Sequence, residues 1–353
     1  MTLMFMPSLA ARFSGALLGV HAGDSLGATL EFSSWAEVRE RYPGGLRDIV
    51  GGGPLRWPAG HATDDTDLTR AVLVAYLDSA GRIGASRIGA SRIGASRIGA
   101  SRIGGKTDVV RAAADLMLAW LDGDWPGREP GTPPTDVGAA TWAGLTRYRR
   151  GGDPRAAGAG DGHAGNGSLM RCIPTALAVT DRRRRISESI EISAITHDDE
   201  RAVTACAAYN EIAAALVAGG APDAAVAAGL ATARELGSDQ VAAAIEFGST
   251  LSAADLAASG QLPFPGRAGG YVLDSLSLAV AAVLDERPLA DVVVDIASLG
   301  NDADTNAAIA GGLLGARDGA AAIPRRWLRM LQFGCEFAAA AAVLADRRAG
   351  ELP

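Results

Sequence analysis

Two short acidic segments, one near each end of the chain, carry the residue types best suited to chemistry. The segments read Thr63-Asp64-Asp65-Thr66 and Asn301-Asp302-Ala303-Asp304-Thr305. Carboxylate and hydroxyl oxygens are preferred by hard cations such as Mg²⁺, Mn²⁺ and Ca²⁺ rather than by zinc or copper. If the fold brings the segments together, their mutual repulsion requires bound cations or protonated carboxyls. The sequence therefore predicts a centre for two divalent cations.

Helix capping is the alternative explanation of each acidic segment. Thr63 and Asp302 could each cap a helix, and acids in a first turn meet the positive end of the helix dipole. One side-chain oxygen suffices for a cap, whereas each segment offers two aspartates and a threonine. This excess of oxygen atoms favours metal binding over capping alone.

Other polar residues are weaker candidates because each also has an ordinary structural explanation. They are Glu31, Gly165, Asn166, Gly167, Ser168, His197 and Tyr271. Backbone N–H groups of the glycine-rich loop 160–168 could cradle a diphosphate, and a plain loop fits the sequence equally well. A single glutamate such as Glu31 after a helix is ordinarily solvated, and a lone histidine beside acids, such as His197, is more often a capped helix end than a catalyst. Tyr271 fits a core position and a stacking surface equally well.

Alanine-rich amphipathic segments must position these residues. Apolar residues recur at three- and four-residue steps with scarcely any alternation, which predicts an all-α fold. The predicted helices cover residues 66–80, 108–121, 186–195, 200–218, 221–236, 240–249, 273–284, 289–298, 305–314 and 324–345. Gly19, Gly23 and Gly27 are spaced four apart, which on a helix makes a groove that a second helix can approach closely.

Residues 82–104 repeat Arg-Ile-Gly-Ala-Ser with a period of five. This period gives neither a helix nor a strand one apolar face, so the segment is predicted to be a tandem expansion forming a mobile surface loop. Its arginines leave contact with an anionic partner as the alternative.

Length and composition limit the class of protein. With 353 residues, 48% of them hydrophobic, the chain can form one large domain or two ordinary ones, and motifs at both ends that serve one site favour one. The net charge of −7 disfavours nucleic acid and anionic membranes as partners. Three scattered cysteines and the absence of an apolar stretch of roughly 18 residues predict a soluble cytoplasmic protein without a membrane span.

Taken in order, six segments resemble the ADP-ribosylglycohydrolase family, whose members remove ADP-ribose from dinitrogenase reductase and from arginine or serine side chains. The segments are Gly23-Asp24-Ser25-Leu26-Gly27 with Glu31, Thr63-Asp64-Asp65-Thr66, Gly165-Asn166-Gly167-Ser168-Leu169-Met170-Arg171, Thr196-His197, Gly270-Tyr271-Val272 and Gly300-Asn301-Asp302-Ala303-Asp304-Thr305. Each match is modest, but six in the family's order are specific.

The resemblance implies an orthogonal multi-helix bundle, formed by one domain over residues 1–353, with a central dinuclear metal site. It implies two divalent cations, Mg²⁺ or Mn²⁺, bound by Thr63, Asp64, Asp65, Asp302, Asp304 and Thr305. The implied catalytic residues are Glu31, Asp64 and Asp304. Gly165, Asn166, Gly167 and Ser168 would hold the diphosphate and distal ribose, with His197 in the same region and Tyr271 near the adenosine.

The resemblance implies a metal-dependent hydrolase that cleaves the glycosidic bond between ADP-ribose and an acceptor, such as an arginine side chain. Its partner would be an ADP-ribosylated protein or small molecule, and the chain would be a monomer. The alternatives are a non-catalytic ADP-ribose-binding or crystallin-like protein, and a hydrolase of another ADP-ribosylated small molecule. The five-residue repeat and the sequence Gly60-His61-Ala62 before Thr63 depart from the family pattern.

Overall fold

Helices make up nearly all of the regular structure. The computed structural model describes residues 6–79, 102–103, 106–264 and 268–351, and within these ranges the chain forms sixteen α-helices. They are α1 Leu9–Gly27, α2 Trp35–Arg41, α3 Asp64–Ser79, α4 Val109–Leu121, α5 Ala139–Gly151, α6 Ile173–Ala178, α7 Arg182–Ala194, α8 Glu200–Val217, α9 Pro222–Glu235, α10 Asp239–Gly248, α11 Ala253–Ser259, α12 Val272–Leu284, α13 Leu289–Ala297, α14 Ala303–Asp318, α15 Arg325–Leu328 and α16 Gly334–Glu351. The predicted all-α class is confirmed.

The five-residue repeat lies almost entirely outside the described residues. The exception is a short antiparallel pair, in which β1 (Arg102–Ile103) bonds to β2 (Lys106–Thr107). The prediction of a mobile surface loop therefore stays a prediction.

The prediction of one continuous helix over residues 324–345 was wrong, because residues 329–333 interrupt it between α15 and α16. Two backbone N–H groups in the interruption donate to partners elsewhere in the chain: Gln332 N to the Gly60 carbonyl at 2.9 Å, and Phe333 N to His21 Nε2 at 3.2 Å. These N–H groups cannot also continue a helical ladder. The helices α2, α5, α6 and α11 were missed by the sequence analysis.

At the crossing of α1 and α14, the two helices pack backbone against backbone. A Cβ atom added to Gly19 would lie 2.1 Å from the Gly311 carbonyl oxygen, and one added to Gly23 would lie 2.1 Å from the carbonyl oxygen of Ala307. Glycine is required because backbone touches backbone at these points. The predicted groove is confirmed, and it brings the C-terminal half of α1 against the start of α14.

A buried carboxylate anchors the first turn of α3. Asp67 accepts hydrogen bonds from the indole N–H groups of Trp120 at 2.8 Å and Trp125 at 2.6 Å, and it pairs with Arg128 at 3.1 Å. Hydrogen bonds of this kind satisfy a charge that is otherwise costly to bury. They fix the position of the helix start, where Asp64 and Asp65 lie.

A search of the described residues for membrane spans finds no single helix of sufficient length and apolar composition. The pair α10 and α11 reaches that length and composition only together, and it is bent by 80°.

Candidate active site

The two acidic segments meet beside α1. Asp24, Asp65 and Asp304 each offer a carboxylate oxygen, and these three oxygens lie within 4.8 Å of one another. The Oδ2 atom of Asp65 accepts hydrogen bonds from Thr63 Oγ1 at 3.1 Å and from Thr305 Oγ1 at 3.3 Å, although Asp65 and Thr305 are 240 residues apart. The starts of α3 and α14 therefore form one acidic centre.

A cavity of about 390 Å³ opens from this centre. Its acidic lining residues are Glu31, Asp64, Asp136, Asp302 and Asp304. Gly165, Asn166, Gly167, His197 and Thr305 also line it. Acidic residues from four separate parts of the chain thus face one small space.

Several oxygens of the acidic centre lack hydrogen-bond donors. Asp24 and Asp65 are fully buried, and among the described residues Asp24 Oδ1 and Asp65 Oδ1 have no hydrogen-bond partner. A buried polar atom without a partner costs about 1–3 kcal/mol, and more when it is charged. Oxygen-rich carboxylate clusters of this kind fit Mg²⁺, Mn²⁺ or Ca²⁺, which would satisfy the free oxygens.

Burial raises the pKa of these carboxyl groups. Desolvation raises the pKa of Asp24 to about 7, although hydrogen bonds from Thr66 and Thr63 oppose the rise. Desolvation, reinforced by Asp136 and Asp302, raises the pKa of Glu31 to about 8. The same causes, burial first and neighbouring carboxylates second, raise the pKa values of Asp64, Asp65 and Asp304 well above their usual range.

These shifts predict how the stability of the cation-free protein depends on pH. A carboxyl whose pKa is higher in the folded state binds protons more tightly there, so its contribution to stability is lost as pH rises through the folded pKa. In EDTA, the free energy of unfolding should fall between about pH 4, the unfolded pKa, and the folded pKa values of Asp24 and Glu31, about 7 and 8. Urea unfolding at several pH values measures this slope. An Asp24→Asn variant should show a shallower slope, and an equal slope would contradict the assignment.

The glycine loop is tied to the second acidic segment. The backbone N–H of Asn166 donates to the Gly270 carbonyl at 3.0 Å, and its side-chain Nδ2 donates to Asp302 Oδ2 at 2.5 Å and to Ser275 Oγ at 2.9 Å. The loop therefore lies directly against one wall of the acidic centre.

A buried guanidinium and a buried imidazole both lie against the glycine loop. The guanidinium of Arg171 is fully buried and donates to the Gly167 carbonyl and, at 2.6 Å, to Thr196 Oγ1. Thr196 Oγ1 also hydrogen-bonds His197 Nδ1 at 2.8 Å. Burial, with the nearby charge of Arg171, lowers the pKa of His197 to about 3, so its ring is neutral near pH 7. A Cβ added to Gly167 would lie 3.0 Å from His197 Cε1, so the loop and the imidazole are in close contact.

Two predicted substrate-binding residues do not line the cavity. The side chain of Ser168 is buried and accepts hydrogen bonds from Ser193 Oγ at 2.8 Å and Cys206 Sγ at 3.4 Å. Tyr271 is half-buried at the start of α12, with the guanidinium carbon of Arg201 5.8 Å from its ring centroid. Backbone pairing between Gly165 and Tyr271 still places the latter next to the loop.

The sequence analysis did not single out three residues of this site. Asp24 belongs to the carboxylate cluster, and Phe32 and Asp136 line the cavity. Asp24 lies inside a recognised motif, and its signal was a lone carboxylate in the buried half of a glycine-grooved helix, where a charge requires a reason. Asp136 lies in a loop with no periodic pattern, and nothing in the sequence distinguishes it.

The starts of helices and the loops between them form this acidic centre and its cavity, which defines the class as an all-α protein with a candidate cation site. Residues 6–352 match the family model described as ADP-ribosylglycohydrolase, and the chain belongs to this family.

Two related proteins and one solved structure match this chain along nearly its whole length. The chain is 29% identical over 331 residues to the ADP-ribosyl-[dinitrogen reductase] glycohydrolase of Rhodospirillum rubrum, covering 94% of this chain and 93% of that protein. It is 29% identical over 340 residues to the ADP-ribosylarginine hydrolase Tri1 of Pseudomonas putida (strain GB-1), covering 95% and 78%. A solved structure described as an ADP-ribosylglycohydrolase-related protein complex superposes with a TM-score of 0.72 at 27% identity, covering 96% of this chain and 98% of that one.

The predicted family is therefore confirmed, as is the predicted activity at the level of the family: hydrolysis of the glycosidic bond between ADP-ribose and an acceptor.

Proposed function

We propose that this chain hydrolyses the N-glycosidic bond between ADP-ribose and an arginine side chain of a protein, and that it requires two divalent cations, Mg²⁺ or Mn²⁺. The observation that carries the proposal is the convergence of two distant acidic segments on one cavity beside a glycine loop. Two relatives, named for ADP-ribosylarginine and for ADP-ribosyl-dinitrogen reductase, support the choice of a protein acceptor.

The oxygen-rich centre fits the cations. The residues that would hold them are Thr63, Asp64, Asp65, Asp302, Asp304 and Thr305, with Asp24 against the same centre. When bound, the ions would polarise the oxygen atoms they contact and offset the repulsion among the carboxylates.

Glu31 is placed to move a proton at the scissile bond. Its side chain is 4% exposed, lines the cavity, and has one oxygen, Oε2, without a hydrogen-bond partner among the described residues. The departing guanidine nitrogen needs a proton and the attacking water must lose one. Glu31 would serve one of these transfers, and Asp64 or Asp304 in the same cavity would serve the other.

The glycine loop would hold the diphosphate. Backbone N–H groups of a glycine loop bind phosphate oxygens well, and the buried positive charge of Arg171 lies directly behind Gly167. Ser168 would contribute through its backbone because its hydroxyl is already bonded in the core. His197 would support the ribose region, and Tyr271 would lie near the adenosine.

The charge of the cavity favours a cationic acceptor. Its acidic side chains, together with buried Asp24 and Asp65, outnumber the four positive charges that two divalent ions bring. ADP-ribose adds further negative charge. An arginine guanidinium would therefore be attracted, whereas a serine hydroxyl gains nothing from this field.

A release assay tests the proposal. Purified protein with Mg²⁺ or Mn²⁺ should release ADP-ribose from an arginine-linked peptide faster than from a serine-linked one. EDTA should lower the rate by about 10³-fold or more, because several kcal/mol of charge stabilisation is lost, and either metal should restore it. Full activity in EDTA would contradict the metal requirement, and no release with either metal would contradict the arginine substrate.

The same assay separates the alternatives. Tight ADP-ribose binding in calorimetry without turnover would indicate a non-catalytic binding protein. Turnover of small ADP-ribosylated molecules alone would indicate a hydrolase of another ADP-ribosylated small molecule.

We also propose that the chain acts in the cytoplasm as a single-domain monomer. Its free thiols Cys172, Cys206 and Cys335 support a reducing compartment, and light scattering tests the oligomeric state.

A further inference from the structure

Phe32 is an exposed aromatic ring in the wall of the acidic cavity. Its side chain is 64% exposed, yet it is one of the residues that line the cavity. Its backbone φ is +59°, in the left-handed region. That conformation costs a bulky L-residue about 1–2 kcal/mol. The proposed hydrolysis gives no role to Phe32, an exposed aromatic residue with a strained backbone in the wall of the cavity.

Two backbone hydrogen bonds hold Phe32 in this position. Its N–H donates to the Asn301 carbonyl at 2.7 Å, and the N–H of Asn301 donates back to the Ser33 carbonyl at 2.7 Å. Asn301 is itself left-handed, with a φ of +55°. The reciprocal pair fixes the backbone of Phe32 against that of Asn301, so Phe32 lines the same cavity as Glu31, its neighbour in the chain, and Asp302, the neighbour of Asn301.

The chemistry around the ring is that of a cation site. The cavity is lined by five acidic side chains, and no arginine or lysine is among the described residues that line it. The face of an aromatic ring attracts cations, by about 0.5–1 kcal/mol when exposed and about 2 kcal/mol when desolvated. A guanidinium is planar, so it can stack on a ring and at the same time donate N–H groups to carboxylates.

We propose that the ring of Phe32 is the platform on which the guanidinium of the ADP-ribosylated arginine stacks, while carboxylates of the same wall accept its N–H groups. Phe32 is then a specificity residue that favours a planar cationic acceptor over a hydroxyl acceptor. This inference rests on the proposed function and deepens it.

The adenine ring is the competing occupant, and the location of Phe32 argues against it. Phe32 is adjacent to Glu31 and bonded to the segment that carries Asp302, at the acidic end of the cavity where the glycosidic bond would be broken. In ADP-ribose, the adenine is separated from the reacting carbon by the diphosphate and a second ribose. The acceptor side chain is the group that lies next to the reacting carbon.

Substrate comparison tests the proposal. In Phe32→Leu, which keeps an apolar side chain without a ring, kcat/KM for an arginine-linked peptide should fall about 5- to 30-fold through a higher KM, from the cation–π magnitude. For a serine-linked peptide it should change less than about 2-fold. Phe32→Tyr, which keeps the ring, should stay near the wild-type value. Trp142→Leu is the matched control, because Trp142 is 51% exposed and does not line the cavity.

Binding measurements separate failure of this inference from failure of the proposed function. Agmatine, a small guanidinium compound, should bind the wild-type protein saturated with ADP-ribose and Mg²⁺. Its affinity should fall by the same factor of about 5 to 30 in Phe32→Leu, even if no arginine-linked substrate is turned over. The affinity for ADP-ribose alone should be unchanged. Three results would each contradict the proposed role of Phe32. They are an equal loss of rate on the arginine-linked and serine-linked peptides in Phe32→Leu, a matching loss of its ADP-ribose affinity, or no agmatine binding to the wild type.

Discussion

Replacing Asp65 by asparagine should lower turnover by about 10³-fold or more while leaving the protein folded. Asp65 is the residue at which the two acidic segments touch, since Thr63 and Thr305 both donate to its Oδ2 atom. Asparagine has nearly the same shape, but it removes one carboxylate from the proposed cation site. The expected loss corresponds to several kcal/mol of charge stabilisation in the transition state. ADP-ribose release with Mn²⁺, and Mn²⁺ affinity by calorimetry, measure the two effects.

A stability measurement distinguishes this loss from misfolding. Burial, followed by repulsion from Asp24 and Asp64, raises the pKa of Asp65. This carboxyl therefore destabilises the cation-free fold at neutral pH, where the same group is freely ionised in the unfolded chain. In EDTA at pH 7.5 or so, the Asp65→Asn variant should therefore melt at a higher temperature than the wild type, and added Mn²⁺ should stabilise it less. Asp346→Asn, at an exposed position on α16, should match the wild type in both assays. Wild-type turnover in Asp65→Asn would remove this residue from the mechanism.

Replacing Gly23 by alanine should destabilise the protein by about 3 kcal/mol, since overpacking typically costs 1–3 kcal/mol and more where backbone must move. The new Cβ would lie 2.1 Å from the Ala307 carbonyl oxygen and 2.4 Å from its carbon, both of them backbone atoms. No side-chain rotation relieves such a contact, so α1 and α14 must separate. Urea unfolding should show a lower midpoint with an unchanged slope.

The same substitution should also weaken the cation site. Asp24 follows Gly23 directly on α1 and Asp304 lies in the first turn of α14, so separating the two helices separates two of the three clustered carboxylates. Stabilisation by Mn²⁺ should therefore be smaller in Gly23→Ala. Gly151→Ala is the matched control, because a Cβ at this helix end meets nothing within 4 Å. Equal stability of the Gly23 variant and the wild type would contradict the described packing.

The sequence predicted the candidate site better than it predicted the limits of the helices. Thr63, Asp65, Asp304 and Thr305 could be singled out because they concentrate oxygen atoms in two short segments, and the structure brings those segments together. Their roles as ligands and catalysts stay predictions. The break between α15 and α16 could not be predicted, because it depends on hydrogen bonds to His21 and Gly60, some 270 residues or more away.

The sequence pattern could not predict in which direction a side chain points or whether it is buried. Ser168 belongs to the glycine loop by sequence, but its hydroxyl turns into the core toward Ser193. Asp24 is a single acid in a motif, and it joins the acidic centre only because Gly23 allows α14 to approach. The exposed ring of Phe32 depends on a strained backbone held by Asn301, which no local propensity indicates.

The amino-acid order by itself determined the helical class, the glycine groove and the two oxygen-rich segments, because helix periodicity and residue type are local properties of the chain. Tertiary structure alone decided that the two segments share one cavity, that Asp24 and Asp136 lie close to it, and that burial raises the pKa values of the clustered carboxyls. Electrostatic repulsion and desolvation depend on distances between residues far apart in sequence, and those distances exist only after the helices pack.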